Sequence, residues 1–129
     1  MSDRDGRVLI VEDDESLRGI VARHLRANGY LVDEASSAEA AAKVIEDGLR
    51  PGVVLLDLNL PGDTGWDLLR GPALEAAGSP PVIVTSAATV SPRRLAEFGC
   101  AAYLPKPFPP EALLATLERL LGTKAESES

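Results

Sequence analysis

Acidic side chains follow two of the apolar runs in this sequence. Asp57 comes directly after Val53–Leu56, and Glu12 and Asp13 come directly after the run at 7–11. If these runs end at one place in the fold, each pair of carboxylates about 4 Å apart costs about 4 kcal/mol at an effective dielectric constant near 20. Such a cluster needs a bound cation or raised pKa values. Because oxygen ligands suit Mg²⁺ or Mn²⁺, the carboxylates predict a divalent-cation site.

A hydroxyl and an ammonium accompany these carboxylates. Thr85 and Ser86 end another apolar run, and Lys106 closely follows a fourth. A carboxylate can attack phosphorus and form an acyl phosphate, provided that cations and donors offset the repulsion from the phosphoryl oxygens. Taken alone, Asp57 could equally begin a turn and Lys106 could be a solvated surface residue. Together they predict phosphoryl transfer, with Asp57 as nucleophile, Lys106 and a metal as charge neutralisers, and Ser86 as the hydroxyl that meets the phosphoryl group.

Five apolar runs of strand length alternate with helical patterns along the chain. The runs lie at 7–11, 30–35, 53–57, 81–86 and 101–104. Apolar strands followed by helices predict a parallel sheet covered on both faces, and right-handed crossovers favour a doubly wound α/β sandwich. Functional groups in such sheets gather beyond the carboxyl ends of the strands, which is where the acids, the hydroxyl and the lysine fall.

Local signals mark several helix boundaries. Ser36 with Glu39 fits a capping box for the second helix. Gly71-Pro72 should break or kink the third helix, because proline cannot continue a helix without loss of a hydrogen bond. Ser91-Pro92 fits an N-cap with proline at the first helical position. An apolar stripe predicts a last helix over Pro110–Leu121.

Composition limits the classes of function. The 129 residues suit one domain, and a net charge of −7 argues against binding to nucleic acid through phosphate neutralisation. The single cysteine, Cys100, excludes an intrachain disulfide and a cysteine-rich zinc site. The amino terminus lacks the apolar segment of a signal peptide, and no apolar stretch approaches the length of a membrane span. We therefore expect a cytoplasmic protein without membrane insertion or direct nucleic-acid binding.

Four motifs, in order, resemble the response-regulator receiver domain of two-component signalling. They are "VLIVEDDE", "LLDLNLPGDTG", "PVIVTSA" and "AAYLPKPF". The resemblance runs from about Arg7 to Leu121, and we expect a receiver domain at 1–122 and a polar, disordered tail at 123–129. It implies the flavodoxin-like, CheY-like (βα)5 fold: a five-stranded parallel sheet in the order 2-1-3-4-5 with helices on both faces.

The resemblance also implies a role for each residue at the acidic end of the sheet. Asp57 would be the phosphorylated residue. Asp13 and Asp57 would bind Mg²⁺ (or Mn²⁺) directly, Glu12 would act through a water molecule, and Asn59 would offer its backbone carbonyl. Lys106 would neutralise the phosphoryl oxygens.

Three further positions match the switch elements of the family. Ser86, rather than Thr85, falls on the switch hydroxyl, because the alanine after it completes the family pattern. Tyr103 matches the aromatic residue that moves with this hydroxyl, and the Lys106-Pro107 bond matches one that is usually cis.

The function implied is that of a single-domain response regulator in a phosphorelay. It would accept a phosphoryl group on Asp57 from the phosphohistidine of a sensor histidine kinase or a histidine phosphotransfer protein, and then change its binding to an unidentified downstream protein. It would assist its own phosphorylation and dephosphorylation without being an enzyme for a separate substrate. We expect a monomer or weak dimer.

Three alternatives remain beside this interpretation. The chain could be the receiver part of a longer DNA-binding regulator or hybrid kinase. It could be a phosphohydrolase with an aspartate nucleophile, although Asn59, two residues after Asp57, cannot act as the general acid that this class needs. It could be a receiver-like domain that has lost phosphorylation, which the presence of the acids, hydroxyl and lysine disfavours.

Overall fold

The computed structural model describes residues 6–60 and 65–121. The predicted domain end at residue 122, the predicted tail at 123–129 and residues 61–64 of the second motif lie outside the described residues. Within the described ranges, no helix is long and apolar enough to cross a membrane.

The strands of the described chain form one parallel sheet in the order β2-β1-β3-β4-β5. They are β1 (Arg7–Val11), β2 (Leu31–Ala35), β3 (Val53–Asp57), β4 (Val82–Ser86) and β5 (Ala102–Pro105). Each run predicted as a strand forms one, with ends that differ by at most one residue. The predicted strand order, 2-1-3-4-5, is confirmed.

Helices connect the strands. In the described ranges they are α1 (Glu15–Ala27), α2 (Ala38–Glu46), α3 (Gly65–Arg70), α4 (Pro72–Ala76), α5 (Pro92–Glu97) and α6 (Pro110–Leu121). The third predicted helix is thus two short helices, α3 and α4, as the Gly71-Pro72 pair predicted. Gly71 has an extended backbone (φ −75°, ψ 169°), and Pro72 opens α4 at a position where its missing N–H costs nothing.

The sheet separates two apolar cores. Along β1, Leu9 and Val11 belong to one core, and Val8 and Ile10 belong to the other. Side chains of α2, α3 and α4 fill the first core, and those of α1 and α6 fill the second. Because both faces of the central strands are buried, these strands are continuously apolar instead of alternating with polar residues. Their carboxyl ends are where polar side chains can meet.

The predicted capping box at Ser36 and Glu39 was wrong by one residue. Helix α2 begins at Ala38, and Ser37 is its N-cap, with its hydroxyl accepting a hydrogen bond from the Ala40 N–H at 3.0 Å. Strand β2 extends to Ala35, so the chain needs one more residue before it turns into the helix. Ser91 is the N-cap of α5, as predicted, and accepts from the Arg93 N–H at 3.2 Å.

Helix α3 begins in direct contact with the end of β3. A Cβ atom added to Gly65 would lie 2.6 Å from the carbonyl oxygen of Asp57 and 2.9 Å from the Cα of Leu58. These distances are too short for any side chain, and the obstructing atoms are backbone atoms that cannot rotate away. Glycine at this position therefore lets α3 approach the strand end that presents Asp57.

We predict opposite effects for the same substitution at two glycines. Gly65→Ala should lower the free energy of unfolding by about 1–3 kcal/mol, because the added methyl group forces the Asp57 backbone to shift. Gly19→Ala, in the interior of α1 with no atom near the added Cβ, should raise it by about 0.5–1 kcal/mol. Denaturant unfolding of both variants tests this; a Gly65→Ala protein as stable as the parent would contradict the account of the α3 contact.

Candidate functional site

Strand register brings the predicted site residues to one edge of the sheet. Val11 of β1 is opposite Leu56 of β3, so Glu12 leaves its strand beside Asp57. Asp57 is in turn opposite Thr85 of β4. The backbone N–H of Lys106 donates to the carbonyl of Ser86 at 2.9 Å and thereby joins the ends of β4 and β5. Four strands thus deliver carboxylates, a hydroxyl and a lysine to the same edge.

Three carboxylates form a compact acidic cluster. Glu12, Asp13 and Asp57 each offer one oxygen, and these oxygens lie within 4.8 Å of one another. Glu12 and Asp57 are only 5% and 4% exposed, whereas Asp13 is exposed. This oxygen-only donor set, buried on one side and open to water on the other, fits Mg²⁺, which binds through a few carboxylates and keeps several waters. The three predicted metal ligands that carry a charge, Glu12, Asp13 and Asp57, therefore lie close enough to bind one ion.

Lys106 bridges two of these carboxylates. Its Nζ lies 2.5 Å from Glu12 Oε1 and 3.1 Å from Asp57 Oδ2. The ammonium is itself mostly buried, with 19% of the side chain exposed. The peptide bond from Lys106 to Pro107 is cis. The side chain thus spans from β5 to the ends of β1 and β3 and supplies a fixed positive charge between two buried acids.

The acids and the lysine shift one another's ionisation. Burial raises the pKa of the Glu12 carboxyl from 4.5 to about 7, and the Asp57 charge adds to this, although the hydrogen bond from Lys106 opposes it. Burial alone would lower the pKa of Lys106, but the hydrogen bonds and charges of Glu12 and Asp57 outweigh burial and raise that pKa above its ordinary value. Lys106 is therefore charged at neutral pH.

A chain of hydrogen bonds connects Asp57 to the predicted switch hydroxyl. The backbone N–H of Asn59 donates to Asp57 Oδ1 at 2.9 Å, and the side-chain Nδ2 of Asn59 donates to Ser86 Oγ at 2.7 Å. Ser86 Oγ also accepts from the backbone N–H of Ala88 at 3.0 Å. Sequence reasoning assigned Asn59 only a backbone carbonyl role and missed both donor contacts. An amide two residues after the acceptor was the available signal, but its rotamer could not be read from the sequence.

Tyr103 reaches the same segment from β5. Its ring is half-buried, and its hydroxyl donates to the carbonyl oxygen of Ala88 at 3.3 Å. The N–H of Ala88 also donates to Ser86 Oγ. Ala88, two residues after the end of β4, therefore contacts both predicted switch side chains. The two side chains are therefore connected through this short loop, although they do not bond each other directly in any contact described.

Comparison with known proteins places the chain in a family. Residues 8–118 match the response regulator receiver domain, and the chain belongs to this family of two-component signalling proteins. One relative is Protein PetR of Rhodobacter capsulatus, 34% identical over 129 residues that cover 98% of this chain and 53% of PetR. The chain spans about half the length of the curated relatives it matches.

Two solved structures are similar in both fold and sequence. The receiver domain of the sensor histidine kinase PA1611 from Pseudomonas aeruginosa is 28% identical, with a TM-score of 0.79 over 92% of this chain and 98% of that one; it holds a magnesium ion in its active-site cleft. A response regulator from Burkholderia pseudomallei is 25% identical, with a TM-score of 0.78 over 95% of this chain and 72% of that one; it carries a phosphorylated aspartic acid, a calcium ion and citrate.

The pKa of Glu12 predicts an unusual pH dependence of stability without metal. A carboxyl whose pKa is raised on folding contributes stability that is present below pH 4.5 and is lost as the pH rises through about 7. In EDTA, the free energy of unfolding of the parent, relative to Glu12→Gln, should therefore fall by about 3 kcal/mol from acid to slightly alkaline pH. Denaturant unfolding of both proteins across this range measures it. A difference that stays constant or increases with pH would contradict the raised pKa.

Proposed function

We propose that Asp57 accepts a phosphoryl group from the phosphohistidine of a sensor histidine kinase or a histidine phosphotransfer protein, in a reaction that depends on Mg²⁺ and takes place in the cytoplasm. The observation that carries this proposal is the placement of Lys106 Nζ between Asp57 and Glu12, beside three carboxylates that share one small volume. A purely structural aspartate would not need two acid neighbours, one of them buried, and a lysine at the end of a different strand.

In the proposed reaction, a carboxylate oxygen of Asp57 attacks phosphorus, and the bond from phosphorus to the histidine nitrogen breaks. The hydrogen bonds from Asn59 N–H and Lys106 Nζ to the two Asp57 oxygens hold the carboxylate in one orientation. Asp13 and Asp57, with Glu12 through water and the Asn59 carbonyl, would hold Mg²⁺, which supplies positive charge to the phosphoryl oxygens. Lys106 can pass its contact from Asp57 to the new phosphoryl group.

The response to phosphorylation would begin at Ser86. Its Oγ accepts two hydrogen bonds, from Asn59 and Ala88, so its own O–H is available to donate to a phosphoryl oxygen. Movement of the hydroxyl toward that group would break its contact with Ala88 and disturb the Tyr103 hydrogen bond to the same residue. The face formed by α5, β5 and α6 would change with Tyr103, and with it the binding of a downstream protein.

The two related structures support the chemistry of this proposal. One holds magnesium in its active-site cleft, and the other carries a phosphorylated aspartic acid and a calcium ion. Dephosphorylation would use the same neutralising groups, with water as the attacking nucleophile. The protein would therefore assist both reactions on its own Asp57 without having a separate substrate.

An apolar groove next to the site suits the phosphohistidine-bearing partner. It has a volume of about 380 Å³, and α1 and the start of α6 line it, together with Lys106 and Pro107. Ile20 of α1 is 56% exposed at this groove and adds to its apolar surface. A helix of the partner that packs here would lie beside Lys106 and could bring its phosphohistidine to Asp57. The groove therefore favours a phosphodonor protein that presents an apolar surface beside its phosphohistidine.

The proposal predicts a specific covalent change. The intact mass of the protein, after incubation with acetyl phosphate and Mg²⁺, should increase by one phosphoryl group. The increase should be absent in EDTA and in Asp57→Asn, because the metal and the nucleophile are both needed. Asp47→Asn, which alters an exposed aspartate at the end of α2, should be modified like the parent. Absence of modification in the parent, or modification of Asp57→Asn to the same extent, would contradict the proposal.

A further inference from the structure

Arg18 of α1 contacts the segment that carries two of the acids. Its Nη1 donates to the backbone carbonyl oxygen of Glu12 at 2.8 Å, and its Nε donates to Glu34 Oε1 at 3.2 Å. Its Nη2 lies 3.8 Å from Glu15 Oε1. Only 13% of the Arg18 side chain is exposed. One guanidinium group thus joins the end of β1 to β2 and to the first turn of α1.

The contact with Glu12 holds the Glu12–Asp13 peptide unit, which lies just beyond the end of the β1–β2 ladder. Strand β1 ends at Val11, and the N–H of Glu12 still donates to the carbonyl of Ala35 at 3.0 Å. The carbonyl of Glu12 accepts a hydrogen bond from Arg18 instead of from a strand. Because a peptide unit is planar, the direction of this carbonyl fixes the position of the Asp13 Cα. Arg18 therefore fixes the backbone position from which the side chain of Asp13, the exposed acid of the cluster, extends.

The charge of Arg18 is already neutralised by its neighbours. Two acids lie against Arg18: Glu34, which it shares with Arg26 at 3.4 Å, and Glu15. Arg18 is thus not a spare cation for the carboxylate cluster or for a phosphoryl group. The two contacts also require a guanidinium, because its donors point in fixed, separate directions, whereas lysine offers a single ammonium. The role that fits this geometry is to hold the backbone of Glu12 and Asp13 in place.

We infer that Arg18 is a positioning residue for divalent-cation binding, acting through the Glu12–Asp13 peptide unit, and that Glu34 acts through Arg18. This inference rests on the proposed function, since it concerns the same cation site. Removal of residues that orient metal ligands typically weakens metal binding 10- to 100-fold. We therefore expect Arg18→Gln to raise the dissociation constant for Mg²⁺ by about ten-fold or more. Arg18→Lys and Glu34→Gln should raise it by less.

A matched control comes from the other end of the same strand pair. Arg7 Nη1 bonds Asp33 Oδ2 at 2.9 Å, so this pair also links β1 to β2, but away from the cluster. Arg7→Gln should lower the free energy of unfolding without changing the dissociation constant for Mg²⁺. The experiment measures Mg²⁺ binding by titration calorimetry, and unfolding in EDTA, for the parent, Arg18→Gln, Arg18→Lys, Glu34→Gln and Arg7→Gln.

A second readout separates positioning from general damage. With acetyl phosphate at low Mg²⁺, Arg18→Gln should be phosphorylated more slowly than the parent, and saturating Mg²⁺ should restore most of the rate. If Arg18→Gln does not fold, the Mg²⁺ affinity and phosphorylation rate of Arg18→Lys and Glu34→Gln are compared with those of the parent instead. Unchanged Mg²⁺ affinity in the Arg18 and Glu34 variants, or an equal loss of affinity in Arg7→Gln, would overturn the inference while leaving the proposed function intact. Failure of the parent to bind Mg²⁺ would overturn both.

Discussion

The contact of one buried ammonium with two buried carboxylates is the interaction on which the rest of this structure depends. Lys106 Nζ lies within hydrogen-bonding distance of Glu12 and Asp57, which come from different strands. Carboxylates that close together repel, and burial increases the cost because water no longer screens them. The raised pKa of Glu12 indicates that the lysine offsets this cost only in part. The site is therefore poised to gain stability from a further positive charge.

The fold supplies the rigidity that such a cluster needs. The strands are packed on both faces, so their ends cannot move apart to relieve the repulsion. Gly65 lets α3 start against the Asp57 backbone, and Arg18 holds the carbonyl next to Asp13. Gly65 and Arg18 both fix the backbone next to a carboxylate, and neither neutralises the charge of that carboxylate. The repulsion among the carboxylates thus persists and favours the binding of a cation. In the proposed function, the bound cation lowers the barrier to phosphoryl transfer.

Much of this arrangement could be predicted from the sequence, because it follows from topology. Apolar runs that end in polar residues predicted the parallel sheet and the edge where the acids meet, and the resemblance to receiver domains implied the strand order. The Gly71-Pro72 pair predicted the break between α3 and α4. Details that depend on a single residue of register or on one rotamer could not be predicted. The N-cap of α2 is Ser37 and not its neighbour, because β2 determines where the helix begins. The Asn59 contact with Ser86 and the Arg18 contact with Glu12 both join residues whose side chains have several possible partners.

The measurement that tests this account most directly is Mg²⁺ binding and phosphorylation in Lys106→Met, with Lys43→Met, an exposed lysine of α2, as the control. A divalent cation must share the carboxylate oxygens that Lys106 now contacts. The account therefore predicts that Lys106→Met binds Mg²⁺ more tightly than the parent. The variant should nevertheless be phosphorylated by acetyl phosphate at least about ten-fold more slowly at saturating Mg²⁺, because one neutralising group is lost. Weaker Mg²⁺ binding in Lys106→Met, or phosphorylation as fast as in the parent, would contradict the claim that this ammonium balances the charge of the site.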